Sequence, residues 1–497
     1  MAALIDPLLS ATGTLFTWPT PLWVVVGLIL GMIAGALPGV GSSLGMAIVL
    51  PLTLPLAPVN AIVLLVSMYS GAMYGGSIAA ILVNVPGTGA AAATTFDGYP
   101  MSKQGKAVEA LAISASSSAI GGFLTVLTLI AISPILIEVV LMFGTPEYFL
   151  MAVLGLAMIG VVAHGSITKA IVSGAFGMLL TTIGIAPNSP VLRYTFGSLS
   201  LYNGIDFIAA LIGMFAIAEM IKLSAQSGGI AEAGVELGGS ALQGIRTVLN
   251  HPITIVKSSF IGMFIGAVPG SGATVSNFIS YGEAMRSSND PEKFGDGEPA
   301  GVIAAEASNN GTVGGSLIPT VSFGIPGSGS TAVLLGGLLM HGLRPGPQLF
   351  SEQLGTTYTF MLALLFGNIF ILLVGLFLVT RLGILTKIDT HYIIPTIVVL
   401  SMIGGYTLRT NWVDIVTVVG LGLFGYLMVK HNYSVIAFVL GVVLGPIAEE
   451  NLIRSLQLSG GSYSIFVTKP LSLLIVIAIV GILFGPFLKR QLERALS

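Results

Sequence analysis

Two proline–glycine motifs occur twice in this chain, and every copy interrupts strongly apolar sequence. The run GMIAGALPGVG at residues 31–41 matches GMFIGAVPGSG at 262–272, and VPGTG at 85–89 matches IPGSG at 325–329. A helix break at membrane depth leaves backbone N–H and C=O groups that lipid cannot satisfy, so it survives only inside protein or beside a water-filled cavity. Broken helices at corresponding positions of two halves are typical of the binding site of a secondary transporter.

Composition places these breaks in a membrane protein. Hydrophobic residues make up 54% of the chain and charged residues 8%, with a mean hydropathy of +0.97. A soluble domain has about a quarter charged residues, which it needs to cover its surface. The chain has no cysteine and a net charge of −2, so disulfides and thiolate chemistry are excluded and nothing indicates a nucleic-acid partner.

The apolar runs predict an all-α polytopic membrane protein with about 10–12 transmembrane helices, among them segments at 108–131, 133–163 and 432–447. We expect two structural repeats, each with broken helices or re-entrant hairpins at the motifs. The run GGS at 75–77 and 314–316 also occurs in both halves. Whether the repeats are inverted or parallel is left open by hydropathy.

The chain divides at its polar connection. The predicted domains are a first repeat at 1–223, a polar linker at 224–251, a second repeat at 252–447, and a C-terminal loop with the last transmembrane helix at 448–497. Lysine and arginine are concentrated in alternate loops and in the C-terminal tail, which predicts a cytoplasmic C-terminus.

The motif residues suit a carboxylate ligand. Helix N-termini attract anions because their N–H groups and dipole are positive. Proline ends one half-helix, and glycine lets the backbone approach the ligand. Neighbouring hydroxyls can donate to a carboxylate or offer oxygen to a cation. The candidate substrate-binding residues are Pro38, Gly39, Gly41, Ser42, Ser43, Asn84, Pro86, Gly87, Thr88, Gly89, Pro269, Gly270, Ser271, Gly272, Thr274, Pro326, Gly327, Ser328, Gly329 and Ser330.

A second group of residues could bind a coupling ion, and Na⁺ is the only cofactor the sequence suggests. The candidates are Asn309, Asn310, Glu306 and Ser316. An amide can donate to substrate and accept from a cation at once, and an intramembrane carboxylate is usually functional. The alternatives are interhelical hydrogen bonds for the asparagines and a solvated helix start for Glu306.

Other polar residues are expected to lie outside the binding site, with contact to the entering substrate as the alternative for Asp97, Lys103 and Lys106. Asp97, Lys103 and Lys106 read as a solvated connection, and Glu219 as an interfacial residue near a segment end. The glycines spaced by four from Gly27 read as ordinary helix packing.

The sequence at 84–106, with 306–316 and 324–331, resembles the large membrane subunit of the tripartite tricarboxylate transporters, the TctA family. The resemblance implies a bacterial inner-membrane permease for small carboxylates such as citrate. It also implies a small TctB-like membrane subunit, a periplasmic TctC-like solute-binding protein, and an ion gradient as the driving force. The sequence leaves a homo-oligomer open.

We therefore expect the four motif regions to meet near mid-membrane and bind a di- or tricarboxylate with Na⁺ or H⁺. One repeat-derived unit would then move against a scaffold, exposing the site alternately. The alternatives are a passive anion channel or facilitator, which can also use backbone and hydroxyl linings, and an intramembrane hydrolase. For the latter, proline stands two residues before Ser271 and Ser328, where a serine protease motif requires glycine.

Overall fold

The computed structural model describes residues 2–37, 39–162, 166–187, 189–225, 238–377 and 390–496, and over these residues the chain is mainly helical. The helices before the polar connection are α1 (Ala2–Phe16), α2 (Thr20–Ala36), α3 (Gly41–Val49), α4 (Pro58–Val83), α5 (Thr95–Lys103), α6 (Ala107–Leu141), α7 (Thr145–Val162), α8 (Ile167–Leu180), α9 (Phe207–Ile212) and α10 (Ala218–Ser224). A π-helical turn, Gly213–Ile217, joins α9 to α10.

The helices of the remaining chain are α11 (Ala241–Leu249), α12 (Pro252–Gly266), α13 (Gly272–Ser287), α14 (Pro299–Phe323), α15 (Gly329–Met340), α16 (Pro347–Ser351), α17 (Leu354–Phe377), α18 (Thr390–Arg409), α19 (Trp412–Lys430), α20 (Val435–Leu458), α21 (Ile465–Thr468) and α22 (Pro470–Leu496). Short 3-10 helices are Leu50–Thr53, Gly89–Ala92, Leu199–Leu201 and Pro291–Lys293. Strands β1 (Gly184–Ile185) and β2 (Leu192–Arg193) pair antiparallel, with Gly184 opposite Arg193.

The number of full spans is lower than the sequence predicts. Across the described ranges, six helices are long and apolar enough to cross a membrane, or eight if two bent pairs count as one span each. Six further apolar pieces of 10–17 residues, Gly41–Thr53 and Gly329–Met340 among them, adjoin a helix break or the limit of the described residues. The 25-residue α14 is not among the six, since amides and hydroxyls interrupt its apolar sequence.

Two predicted boundaries are wrong. α6 continues for 35 residues through Pro134, so the break falls between Leu141 and Thr145 instead of near residue 132. α20 extends to Leu458, although we expected a loop from residue 448. Charges on this last part are paired, since Arg193 contacts Glu449 over 2.5 Å. Such pairing lets the helix continue beyond the apolar run.

α4 and α14 form the centre of the bundle. The apolar window of α4 is entirely buried, and α2, α5, α6 and α17 pack around it. α6, α12 and α13 surround α14, which also contacts α4. The polar side chains of α4 and α14 therefore face other helices.

Glycine allows the closest of these contacts in both halves. A Cβ atom at Gly31 would lie well inside 3 Å of the α4 backbone, and a Cβ atom at Gly262 would lie equally close to the α14 backbone. This agrees with helix packing as the role of the glycine strip on α2.

Glycines of α4 and α14 make matching contacts with α2 and α12. Gly75 of α4 packs on Met32, and Gly315 of α14 packs on Met263, the residue that matches Met32 in the motif. Gly314 packs on α6 instead. By packing, Gly75 therefore corresponds to Gly315, one residue away from the match that the GGS runs suggest.

Candidate functional site

Each proline–glycine motif lies where one helix ends and the next begins. We name these regions tip 1 (residues 37–43, between α2 and α3), tip 2 (84–89, after α4), tip 3 (267–274, between α12 and α13) and tip 4 (324–330, between α14 and α15). Pro38 lies outside the described residues. Positive φ angles at Gly39, Gly41, Gly270 and Gly272 give tips 1 and 3 the same left-handed turns, which glycine adopts without a steric penalty.

Tips from the two halves contact each other. The hydroxyl of Ser330 in tip 4 donates to Ser42 Oγ in tip 1 over 2.7 Å, and Ser43 Oγ lies 3.2 Å from Ser330 Oγ. Within the second half, the N–H of Gly270 in tip 3 donates to the carbonyl oxygen of Gly327 in tip 4 over 3.1 Å. Serine hydroxyls thus join tip 1 to tip 4 directly.

Tip 2 approaches the second half beside tip 3. A Cβ atom at Gly89 would lie 3.2 Å from Thr274 Oγ1. In the following residues, the Asn277 side-chain amide of α13 donates to the carbonyl oxygen of Ala90 over 2.7 Å. Together with the serine contacts, this brings all four tips into one region of the bundle.

The helix starts at the tips are of two kinds. Thr88 accepts a hydrogen bond from the N–H of Ala91, and Ser328 forms a capping box with Thr331 at the start of α15. α3 and α13 have no side-chain cap. The first N–H groups of α3 and α13 therefore remain available to an anion.

A cavity of about 500 Å³ opens beside tips 1 and 2. Its remaining wall is the helix Phe207–Ser224, which contains the π-helical turn and which we call the cavity helix. The lining residues are Gly39, Val40, Gly41, Ser42, Ser43, Leu44, Val85, Pro86, Gly87, Thr88, Gly89, Phe215, Glu219, Lys222 and Leu223. The lining therefore combines backbone and hydroxyls from the tips with side chains from the cavity helix.

The cavity helix supplies residues that sequence reasoning missed. Lys222 Nζ lies 2.7 Å from Glu219 Oε1, and Phe215 lies against the backbone position of Gly329 in tip 4. The sequence placed Glu219 at the interface near a segment end, and the structure adds that it lines the cavity. Two opposite charges at the end of an apolar run were a visible signal, but the sequence could not tell which helices they face.

Glu306 is fully buried inside α14, so the alternative of a solvated helix start is wrong. Its Oε2 accepts hydrogen bonds from Ser77 Oγ of α4 over 2.6 Å and from Ser118 Oγ of α6 over 2.8 Å. Its Oε1 accepts from Thr94, which lies five residues beyond Gly89 of tip 2. No ion pair to Glu306 occurs within the described ranges. The carboxyl group is thus surrounded by hydroxyls from three other segments.

Asn309 and Asn310 connect α14 to α4. The Asn309 amide donates to the carbonyl oxygen of Met73 over 2.9 Å, and Asn310 donates toward the carbonyl oxygen of Ser70 over 3.4 Å. Both side-chain carbonyl oxygens are buried without a hydrogen-bond partner among the described residues. The interhelical hydrogen bonds use the N–H donors of both side-chain amides. Their carbonyl oxygens accept no hydrogen bond from the described residues.

Ser316 connects the interior to tip 4 through Tyr69, a residue that sequence reasoning also missed. Ser316 Oγ lies 3.1 Å from the Tyr69 hydroxyl, which lies 3.4 Å from Ser328 Oγ. All three side chains are polar, and those of Tyr69 and Ser316 are buried.

Two expectations from the sequence are corrected here. The side chain of Asn84 is exposed instead of lying in the bundle interior. Asn84 ends α4 with a left-handed φ of 56°, as Gly324 ends α14 with 68°. Asparagine tolerates this conformation better than most residues. Asn84 is also not among the residues that line the cavity.

Asp97 is fully buried and is not part of a solvated connection. Its Oδ1 accepts the backbone N–H groups of Gly295, Gly297 and Glu298 over 2.8, 2.9 and 2.8 Å. Asp97 thereby fixes the loop before α14 to the segment that follows tip 2.

Comparisons with known proteins relate this chain to one family and to two relatives. Residues 22–440 match the family described as "Tripartite tricarboxylate transporter TctA family". An "Uncharacterized 52.8 kDa protein in TAR-I ttuC' 3'region" of Agrobacterium vitis is 33% identical over 416 residues, which cover 84% of this chain and 83% of the relative. An "Uncharacterized protein in TAR-II ttuC' 3'region" of the same organism is 30% identical over 211 residues, covering 42% and 87%. No solved structure matches.

Proposed function

The chain belongs to the tripartite tricarboxylate transporter TctA family, and on that premise we propose that it imports small di- or tricarboxylates such as citrate across the bacterial inner membrane. Family membership makes it a tricarboxylate transporter permease and a multi-pass membrane protein, not an enzyme. We further propose that a Na⁺ or H⁺ gradient drives import. The proposed partners are a small TctB-like membrane subunit and a periplasmic TctC-like solute-binding protein.

One observation supports a carboxylate site at the tips. The uncapped start of α3 borders a cavity of about 500 Å³ that is lined by tip backbone and by the hydroxyls of Ser42, Ser43 and Thr88. Helix N-termini and hydroxyls are donors that suit carboxylate oxygens. The volume falls within the range of about 300–1,000 Å³ common for small-molecule sites.

The proposed mechanism is alternating access around these tips. Corresponding glycine contacts, at Gly31 and Gly262 for example, support the interpretation of the two halves as structural repeats. In the proposal, one repeat-derived unit moves against a scaffold and exposes the cavity to each side in turn. We also propose that the C-terminus lies in the cytoplasm.

The coupling ion is proposed to bind behind the tips. The carboxyl group of Glu306 and the carbonyl oxygens of Asn309 and Asn310, which have no partner among the described residues, are oxygens that a hard cation prefers. Ser316 lies ten residues beyond Glu306, about 15 Å along α14, so its hydroxyl would belong to a separate position. Thr94 hydrogen-bonds Glu306 and follows tip 2 in the chain. This contact offers a physical route by which ion binding could affect the position of tip 2.

Uptake measurements test the proposal. Cells that express the chain with its small subunit would be given labelled citrate and smaller dicarboxylates, with and without the solute-binding protein, while the Na⁺ and H⁺ gradients are collapsed in turn. We expect accumulation that requires the binding protein and one gradient. Uptake that merely equilibrates and ignores both gradients would contradict coupling and indicate a passive facilitator.

A further inference from the structure

The cavity beside tips 1 and 2 contains one pair of opposite charges. Among its described lining residues, Glu219 and Lys222 are the only charged ones, and the two side chains contact each other over 2.7 Å. They lie on successive turns of the cavity helix, just after its π-helical turn. Such turns are frequent at functional sites.

The pair is accessible from the cavity. The side chain of Lys222 is 41% exposed and that of Glu219 is 28% exposed, so neither is sealed in the protein interior. An exposed ion pair at this spacing contributes little to stability. Its position opposite an uncapped helix start suggests a role in binding.

The pair can exchange partners when a substrate carboxylate enters the cavity. While Glu219 is paired with Lys222, the charge of the lysine is neutralised. A substrate carrying two or three carboxylates would then enter a cavity whose side chains have no net positive charge. If a substrate carboxylate replaces Glu219, Lys222 retains one anionic partner. The displaced Glu219 can turn to the water in the cavity. A second carboxylate can then reach the N–H groups of α3 and the tip hydroxyls.

We propose that Lys222 binds a carboxylate of the transported substrate and that Glu219 occupies this lysine while the cavity is empty. This inference rests on the proposed function. The inference predicts that the protein selects substrates with at least two carboxylates, because one carboxylate binds the cavity helix and another binds tip 1.

Two variants separate this role from a structural ion pair. Lys222→Gln removes the cation, so we expect the Kd for citrate to rise at least tenfold. Glu219→Gln removes the competing anion, so we expect the Kd to fall severalfold. A structural pair would instead give two changes in Kd of the same sign.

The experiment measures citrate and succinate binding by calorimetry for the full chain co-expressed with its small subunit, and their uptake by the same proteins with the solute-binding protein supplied. Lys257→Gln is the matched control. Lys257 forms an ion pair with Glu283 and is 47% exposed, but lies outside the cavity lining. We expect this variant to bind and transport as the unsubstituted chain does.

The outcomes are distinguishable. If the unsubstituted chain neither binds nor transports any carboxylate, the proposed function fails and the inference fails with it. If it binds citrate and Lys222→Gln binds equally well, only the inference is overturned. Parallel losses in Lys222→Gln and Glu219→Gln would also overturn it. Opposite changes in Kd, with Lys222→Arg intermediate, would support it.

Discussion

At the scale of single residues, steric space decides which tip glycines can be replaced. A Cβ atom at Gly87 would overlap the carbonyl oxygen of Gly35 and lie 3.1 Å from Gly76 Cα. At Gly327, the corresponding Cβ atom would lie 2.7 Å from the carbonyl oxygen of Gly266. Backbone atoms cannot move aside as flexible side chains can, so a side chain at either position displaces the tip.

Gly87→Ala and Gly327→Ala are therefore expected to reduce citrate uptake more than tenfold while the protein still inserts in the membrane. Uptake and membrane abundance are measured together. Gly282→Ala is the control, since a Cβ atom there meets nothing within 4 Å and alanine favours a helix by up to about 1 kcal/mol. Normal uptake in both tip variants would contradict the placement of the substrate at the tips.

The buried carboxyl group of Glu306 gives a second prediction at this scale. Glu306→Gln keeps the side-chain shape, replaces one acceptor oxygen by an NH2 donor to which the neighbouring hydroxyls can turn their oxygen, and removes the group proposed to bind the coupling ion. We expect uptake to lose its dependence on the driving gradient, with an unchanged or higher unfolding temperature, because a buried carboxylate without a cationic partner is costly. Glu306→Ala should lower that temperature, since it leaves the hydroxyls of Ser77, Thr94 and Ser118 unsatisfied. Gradient-dependent uptake in Glu306→Gln would exclude the carboxylate from coupling.

At the scale of secondary-structure elements, one carboxylate joins two segments that are almost 200 residues apart. Asp97 in α5 accepts hydrogen bonds from the backbone N–H groups of Gly295, Gly297 and Glu298 in the loop that leads into α14. Tip 2 and Thr94 precede α5, and Glu306 follows the loop. Asp97 therefore fixes the distance between the tip 2 segment and the hydroxyl cluster around Glu306.

Asp97→Ala should lower the free energy of unfolding by about 3 kcal/mol, because three backbone N–H groups lose a charged acceptor. It should also make the loop at 288–298 easier to cleave. Thermal unfolding and limited proteolysis check these effects. Asp296→Ala is the control in the same loop, where the side chain is exposed. Equal resistance of both variants to protease would show that Asp97 does not fix the loop.

At the scale of the whole molecule, the two halves meet through hydroxyls. Ser42 and Ser330 belong to different predicted repeats, and their Oγ atoms are 2.7 Å apart. The proposed motion of one repeat-derived unit against the rest would separate tips from different halves. The chain has no cysteine, so an introduced pair would be the only thiols that can cross-link.

Oxidation of a Ser42→Cys, Ser330→Cys double variant should stop citrate uptake, and a reductant should restore it. The rate before and after reduction is compared within the same variant, because either substitution alone can weaken binding. The single variants serve as controls and should not respond to the oxidant. Full uptake by the cross-linked protein would mean that tips 1 and 4 move as one body.

The sequence by itself determined the membrane class and the helix breaks at all four tips, and it identified Glu306 as a candidate. These features are local: proline and glycine break a helix wherever they stand, and a carboxylate in apolar sequence is conspicuous without its neighbours. Only the tertiary structure decided that Lys222 faces the tips, that Asp97 is buried and that Asn84 is exposed. It also showed that Gly315, and not Gly314, makes the helix contact that resembles the contact of Gly75. Each of these features depends on which helices pack together although they lie a hundred or more residues apart in the chain. Hydropathy does not specify that packing.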